Sequence, residues 1–517
     1  MKILTSVQMK EIDRKAIAAL GIPGTVLMEN AGLRVVEVLA RVFEGLEAAE
    51  AVVVAGKGNN GGDGFVVARH LRNMGLRPAV LLLASKDEVR GDAAVNLNIA
   101  LNMGIPIAEV RSPGEWRRCR KALAGADLIV DALFGTGLTR PAEGLHARVI
   151  GDINAAPGFK AAVDIPSGLS SDTANIIGPA VRADITVTLA APKIAHVLPP
   201  AEGLVGRLFV APIGIPPELF DDPGLKVELV ERGDVLPLFA AREPNTHKGT
   251  YGHVLVVAGS RGKTGAASLA AKAALKMGAG LVTVATPESC LPIVARSMDE
   301  LMTEPLAETP EGTIGARSLS RISALLKGKD ALLIGPGIST HPETISLVLA
   351  LLPRVRIPMV IDADALNAVA SKPGVLAALR APAVLTPHPG EFARLAGLTT
   401  KEVLERRLEL ASSFAMDHKV HLVLKGYRTL VSCPDGCVHV NSTGNPGMAT
   451  GGSGDVLGGM IASQLAQERD IEAATVSAVY AHGLAGDIGA AALGEKALTA
   501  GDIIRYLPKA LRDLEER

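Results

Sequence analysis

Aromatic side chains are scarce in this chain: one tryptophan, four tyrosines and nine phenylalanines make up 3 % of 517 residues. That scarcity argues against the stacking platforms on which single-stranded nucleic acids lie. An excess of one charge is also lacking, since 53 Lys and Arg nearly cancel 54 Asp and Glu. Both signs are interspersed, which leaves no broad basic surface for nucleic acid but permits a local pocket for a charged metabolite. Cysteine is rare, with Cys119, Cys290, Cys433 and Cys437 forming no disulfide framework. Cys433 and Cys437 flank Pro434-Asp435-Gly436, most simply a turn between two strands; as a metal pair they lack a second CxxC-like pair. No apolar run reaches the ~18 residues of a membrane helix, and Met1-Lys2-Ile3-Leu4-Thr5 has no signal-peptide core. The expectation is a reduced, soluble, cytoplasmic protein with no membrane and no nucleic acid as partner.

Hydrophobic residues are plentiful at 48 %, with 21 % charged, and at roughly 100–200 residues per domain the chain exceeds one domain. After an N-terminal helical stretch, Val/Ile/Leu runs at 51–55, 79–83, 128–133, 161–165, 185–189 and 208–210 alternate with helical segments. The helix after the first run places Val67, Leu71 and Met74 on one face. Continuous apolar runs separated by helices predict a parallel sheet covered on both faces, a Rossmann-like doubly wound α/β fold. Order weakens through Ile215-Pro216-Pro217, Asp221-Asp222-Pro223-Gly224 and Glu243-Pro244-Asn245, placing a boundary near 222–235. A second α/β series then follows, with runs at 253–258, 281–285, 331–334, 359–361, 384–385 and 422–424 and an alanine-rich helix over 264–277. The expected domains are 1–222 and 228–517, with no internal repeat.

Each half carries a glycine turn beside an acid: Gly58–Gly64 in the first and Gly451-Gly452-Ser453-Gly454-Asp455, about 390 residues later, in the second. In open α/β sheets ligands bind beyond the carboxyl ends of the strands. Three first-half motifs fall there: Gly56–Gly64, Asp131 followed by Phe134-Gly135-Thr136-Gly137-Leu138, and Asp164 followed by Ile165-Pro166-Ser167-Gly168. Glycines let backbone N–H groups approach a phosphate at a helix N-terminus. One such loop also serves as a plain turn, and Asp131 alone reads as well as a turn cap; three loops with acids at one sheet edge point to a site. Pro166 and Gly168 force a tight turn that leaves the Asp164 carboxylate little structural work. Lys193 reads either as a helper of this site or as a solvated surface lysine.

Residues Gly58–Gly64, Asp131–Leu138 and Val163–Leu169 resemble the NAD(P)H-hydrate epimerase domain of the YjeF N-terminal family, over about residues 1–220. The resemblance implies hydrate contacts at Asn59, Asn60, Gly61, Gly62 and Asp63, at Gly135, Thr136, Gly137, Leu138, Thr139, Arg140 and Pro141, and at Asp164. It makes Asp164 the acid/base residue and implies potassium held by Asn60, Asp131 and Ser167. The chain departs from the family pattern after Leu169, with Ser170 and Ala174 where an acid and later a glycine are usual.

In the second half, Gly454-Asp455 opens a helix with Leu457, Ile461 and Leu465 on one stripe. Glycine N–H groups at its positive end suit charge developing on a transferred phosphoryl group, with Asp455 placed to take a proton from the attacking hydroxyl. The plain alternative is an Asp N-cap. The run Asn445-Pro446-Gly447-Met448-Ala449-Thr450-Gly451-Gly452-Ser453-Gly454-Asp455 resembles the anion-hole motif of the ribokinase-like superfamily, an α/β/α sandwich. With Asp362-Ala363-Asp364-Ala365-Leu366, Thr386-Pro387-His388-Pro389-Gly390-Glu391 and Lys425-Gly426-Tyr427-Arg428-Thr429 it is similar to the NAD(P)H-hydrate dehydratase branch over roughly 235–517. That resemblance implies nucleotide contacts at Lys425–Thr429 and Asn445–Gly454, and hydrate contacts at Ala266, Gly337, His388 and Asp455. His388 by itself reads as a satisfied loop histidine.

Together the resemblances imply one polypeptide that epimerises the R and S hydrates of NADH and NADPH and dehydrates the S form with ADP, giving NAD(P)H, AMP and phosphate. Asp164 and Asp455 are the expected catalytic residues, K+ and Mg2+ with ADP the expected cofactors, and a homo-oligomer the expected assembly. Two other readings stand beside it: a thiazole- or hydroxymethylpyrimidine-type kinase fused to a sensing domain, and a first half that only binds or scaffolds.

Overall fold

The structure, a computed structural model, describes residues 1–515. The chain separates into two compact units, Met1–Leu225 and a second that begins at Lys226.

The first unit is built on β1 (Ala51–Ala55), β2 (Ala79–Leu82), β3 (Ile107–Glu109), β4 (Leu128–Ala132), β5 (Phe159–Val163), β6 (Ile185–Leu189) and β7 (Arg207–Ala211). Their order is β3-β2-β1-β4-β5-β6-β7, and every pairing is parallel. The apolar runs of β1 and β4 are buried throughout, as strands covered on both faces must be. On one face Val35 and Leu39 of the helix Gly24–Val42 join Val67 and Leu71 of the helix Asn59–Asn73. On the other, Trp116 packs with Val149, Ile150 and Ile153 of the helix Gly144–Ala155. Strand order reverses between β1 and β4, which opens a crevice beyond their carboxyl ends.

Two expectations are corrected here. Met74 is not part of the buried face, because the helix ends at Asn73 and Met74 is exposed. The fifth strand is Phe159–Val163 rather than 161–165, so Asp164 lies just past it, with a left-handed φ of 62°. Asp is one of the few residues that tolerate this conformation.

The second unit holds ten strands: β8 (Val227–Leu229), β9 (His253–Val257), β10 (Leu281–Pro287), β11 (Met302–Leu306), β12 (Ala331–Ile334), β13 (Met359–Ile361), β14 (Ala383–Leu385), β15 (His421–Leu424), β16 (Leu430–Ser432) and β17 (Val438–Val440). Their order is β11-β10-β9-β12-β13-β14-β15-β16-β17-β8. From β11 to β15 all pairings are parallel; β15-β16-β17 is an antiparallel meander, and β8 returns parallel to β17. The hairpin read from Cys433–Cys437 is present: Cys433 N–H donates to Cys437 O at 2.8 Å, and Gly436 has φ +88°. The alanine-rich helix Thr264–Lys276 meets the helix Ser453–Gln467 so closely that a Cβ at Gly459 would strike the Ala270 carbonyl oxygen.

Severing the chain between Leu225 and Lys226 is expected to give two soluble fragments, each melting cooperatively, because each unit has its own sheet. A cut at 235 instead strips β8 from β17 and should lower the melting temperature of the second fragment. Circular dichroism melts of the two cut forms check this; aggregation of both fragments after the earlier cut contradicts it.

Candidate active sites

Beyond the carboxyl ends of β1 and β4 lies a cavity of about 870 Å³. The first loop enters it as the start of the helix Asn59–Asn73, whose N-cap Gly58 provides no side chain, so the first N–H groups remain available to an anion. Of the residues expected there, Asn59, Asn60, Asp63, Gly135, Thr136, Gly137, Leu138 and Asp164 line the cavity. Gly61, Gly62, Thr139, Arg140 and Pro141 lie outside its lining. The first two serve packing: a Cβ on Gly61 would strike the Gly56 carbonyl oxygen, and one on Gly62 would stand 2.6 Å from Met28 Sδ. Gly61→Ala is therefore expected to destabilise the first unit by the upper end of ~1–3 kcal/mol, seen as a lowered first transition in a thermal melt. An unchanged melt would show that the helix start can shift to make room.

Lys193 is not a surface residue; it is 1 % exposed. Its ammonium donates to Asp164 Oδ1 at 2.5 Å, to Thr188 Oγ1 at 2.9 Å and to Leu189 O at 3.0 Å. Burial works to raise the Asp164 pKa, but the charge and hydrogen bond of Lys193 prevail and hold it below the usual carboxylate value. The neighbouring acids go the other way. Burial, reinforced by Asp164 and Asp13, pushes Asp63 well above its ordinary value. Asp13, from the helix Ser6–Ala18, lines the cavity and is raised to about 6, chiefly by burial. His196 is driven down to about 3 by burial and by Lys193. Carboxyls whose environments push their pKa values apart make an acid–base pair.

Asp131 and Ser167 sit beneath this cavity rather than in its lining. Asp131 Oδ1 accepts from Ser167 Oγ at 2.6 Å and Oδ2 from the Ser167 N–H at 2.8 Å. Burial raises Asp131 to about 6 against these bonds. Asn60 Nδ2 donates to Phe134 O at 2.9 Å, while its Oδ1 is buried without a partner among the described residues.

The second cavity, about 610 Å³, is lined by Lys425–Thr429, by Asn445, Pro446, Met448, Ala449, Thr450, Ser453 and Gly454, and by His388. Gly447, Gly451 and Gly452 lie outside the lining. His388 also acts locally, capping the helix Pro389–Ala396 by accepting from Gly390 N–H at 3.0 Å. Lys425 donates to Asp362 Oδ1 at 3.0 Å and stands 3.9 Å from Glu391 Oε2. Burial lowers its pKa, but Asp362 and Glu391 outweigh this, so it is held above its ordinary value. A Cβ on Gly454 would lie 3.1 Å from Lys425 Nζ, so this glycine lets helix and ammonium approach.

Ala266, Gly337 and Asp455 do not line the second cavity. Ala266 and Gly337 meet each other after β9 and β12, while Asp455 stands among Asp362, Asp364, Lys425 and Glu391. A Cβ on Gly337 would stand 3.0 Å from that of Ala266, and one on Gly458 would stand 3.2 Å from Asp362 Oδ2. Asp455 is not a cap: Gly452 is the N-cap, with φ +90°, and no side chain caps the helix. Burial and the charge of Asp362 raise Asp455 to about 7, against the pull of Lys425.

Several site residues escaped sequence reading. Asp13 sits in a helix without a motif. Asp362, inside a recognised motif, has Oδ2 buried without a partner among the described residues. His482 lines the second cavity, with Nε2 3.1 Å from Ser453 O, and burial lowers it to about 4. Asp487 holds the glycine loop by accepting from Gly444 N–H at 2.9 Å and Asn445 Nδ2 at 2.8 Å. Only Asp362 had a sequence signal, its DxD spacing.

Residues 24–195 match the family described as YjeF-related protein N-terminus, and residues 254–509 match that described as NAD(P)H-hydrate dehydratase. Over 517 residues the chain is 48 % identical to the bifunctional NAD(P)H-hydrate repair enzyme Nnr of Moorella thermoacetica, covering 100 % of this chain and 98 % of that one. The Thermofilum pendens enzyme of the same name is 43 % identical over 516 residues, covering 100 % and 97 %. Among solved structures, the ADP/ATP-dependent NAD(P)H-hydrate dehydratase of Bacillus subtilis, co-crystallised with ATP/Mg2+, is 31 % identical with a TM-score of 0.50. It covers 56 % of this chain and 100 % of that one. With a carboxylate and a lysine paired in each half and full-length likeness across both, the chain belongs to the family of bifunctional NAD(P)H-hydrate repair enzymes.

Proposed function

We propose that the first half interconverts the R and S hydrates of NADH and NADPH, and that the second dehydrates the S hydrate with ADP. The observation that carries this reading is the repeated pairing of a lysine with a carboxylate beside a cavity: the buried Lys193 with Asp164, and the partly exposed Lys425 with Asp362 next to Asp455. A scaffold has no need to bury Lys193 and Asp164 together.

Inverting the hydroxyl-bearing carbon requires one of its bonds to break and re-form beside the ring nitrogen, with a proton moved each way. Asp164, kept ionised by Lys193, takes the proton; Asp13 is the cavity carboxyl disposed to return one. Asn60, Asp131 and Ser167 would hold a potassium ion through oxygen donors, and the buried Asn60 Oδ1, unpartnered among the described residues, fits such a role. Such an ion would supply a fixed positive charge beside the loop after β4. Epimerisation is expected to slow when choline replaces potassium in the buffer, and an unchanged rate would exclude a role for the ion.

In the second half Asp455 takes the hydroxyl proton as the oxygen attacks the terminal phosphorus of ADP. The bond to AMP breaks, and Lys425 with the Gly451–Gly454 N–H groups stabilises the charge that develops. Phosphate then leaves the ring carbon, driven by the nitrogen lone pair, and loss of a proton from the adjacent carbon restores the reduced nicotinamide. The unpartnered Asp362 Oδ2 would serve as an oxygen donor to magnesium carried with the nucleotide, which would shield phosphate charge. Incubation of S hydrate with ADP should release NAD(P)H, AMP and phosphate in equal amounts; a retained phosphorylated product would favour a simple kinase.

A further inference from the structure

We propose that Cys433, His439 and Glu472 form a binding site for one zinc-class divalent ion, which clips the β16–β17 hairpin to the helix Ile471–Leu493. The three side chains come from separate places: just after β16, within β17, and in the first turn of that helix. One ligand atom from each lies within 4.8 Å of the other two, and no other trio of His, Cys, Asp and Glu among the described residues is so arranged.

A tetrahedral ion with bonds of about 2.0–2.3 Å holds its ligand atoms about 3.3–3.8 Å apart, within reach of small side-chain rotations here. His439 Nε2 faces Glu472 Oε1 at 2.8 Å, and its Nδ1 faces Glu228 Oε2 at 3.7 Å. At 3.7 Å this carboxylate stands within a small side-chain movement of the second ring nitrogen, where metal-bound histidines ordinarily have a supporting carboxylate. Cys433 is buried, while Glu472 keeps 39 % of its side chain exposed, leaving an entry path from solvent. Thiolate and imidazole donors select zinc over magnesium or potassium, so this site is chemically distinct from those of the two cavities.

Without metal, burial keeps the Cys433 thiol protonated and hydrogen-bonded to Glu472. Binding therefore exchanges the S–H bond for an S–metal bond and releases that proton, so affinity should rise with pH. The charged and titratable neighbours facing the site are Asp435 and Cys437 of the turn, His421 of β15, Glu228 of β8 and Asp470 before the helix. Cys437 Sγ is engaged with Asp435 Oδ2 at 3.1 Å and is not part of the trio.

The test uses the reduced, chelator-treated full-length protein titrated with Co2+, whose thiolate charge-transfer band reports a Cys ligand directly. One equivalent should bind with that band, Zn2+ should displace it, and Zn2+ should raise the melting temperature. Cys433→Ser should abolish the band and Cys437→Ser should keep it. Glu228→Gln should weaken Co2+ binding by about 10–100-fold, the cost of losing a supporting carboxylate. Glu472→Gln, at a half-exposed position that threatens folding least, should weaken it at least as much. A hydrogen-bonded trio without metal would show no thiolate band at millimolar Co2+; that result, or a band that survives Cys433→Ser, overturns the proposal.

Discussion

Asp455→Asn is expected to slow nucleotide-dependent dehydration by roughly 10²–10⁴ without lowering the melting temperature, the range for losing a positioned acid or base. The structure sharpens this expectation by removing the capping role. Gly452 caps the helix, no side chain supplements it, and Asp455 sits within the first turn beside Lys425 and Asp362. Asn keeps the size of the side chain but cannot accept a proton. Burial and Asp362 raise Asp455 to about 7, and a base works only when ionised. Dehydration should therefore climb about tenfold per pH unit up to about 7 and then level, and the variant should lose this limb. Stopped assays on S hydrate between pH 5 and 9 check both points. Wild-type turnover in the folded variant would assign the base elsewhere.

Asp164→Asn should abolish epimerisation, and it should also loosen the first unit. The second effect corrects what the sequence implied, that this carboxylate has little structural work. Lys193 is 1 % exposed and its closest partner is Asp164 Oδ1, 2.5 Å away. Removing one partner of a buried pair leaves the other charge uncompensated, at a cost of about 3–5 kcal/mol. The backbone itself tolerates Asn at the left-handed φ of 62°. A double variant, Asp164→Asn with Lys193→Met, removes the stranded charge and should recover most of the lost melting temperature. Neither form should epimerise, yet both should dehydrate S hydrate, because the second unit carries that chemistry. Recovery of epimerisation in the double variant would show that neither residue moves the proton.

What the sequence conveyed followed the physics of each element. Buried parallel strands such as β1 and β12 are continuous apolar runs and were legible with little error. The strands that escaped are short or lie at edges. β3 has three half-buried residues, and β11, at the sheet edge, contains Pro305, which an edge strand accommodates. Glycine loops were legible as site walls, but the structure separates the roles within them. Gly61 and Gly62 serve close packing, whereas Gly135 and Gly454 face cavities. Lys193 was ambiguous because its burial depends on the chain's beginning. Leu4 N–H donates to Pro192 O at 2.9 Å and bridges to Lys193, a contact that no local pattern announces. Asp13 and His482 were silent for the same reason, being single residues on helices whose partners lie far along the chain.

Two activities in one chain must work in sequence, and one time course tests whether they do. Wild-type protein is given a mixture of R and S hydrates with ADP while the reduced-nicotinamide absorbance is followed. Recovery of the full absorbance is predicted, with AMP and phosphate formed in equal amounts to it. Asp164→Asn should stop after a fast phase equal to the S fraction, leaving R hydrate to convert only at its spontaneous rate. A wild-type trace that also stops at the S fraction would contradict the paired activities, because the first half would then bind without epimerising.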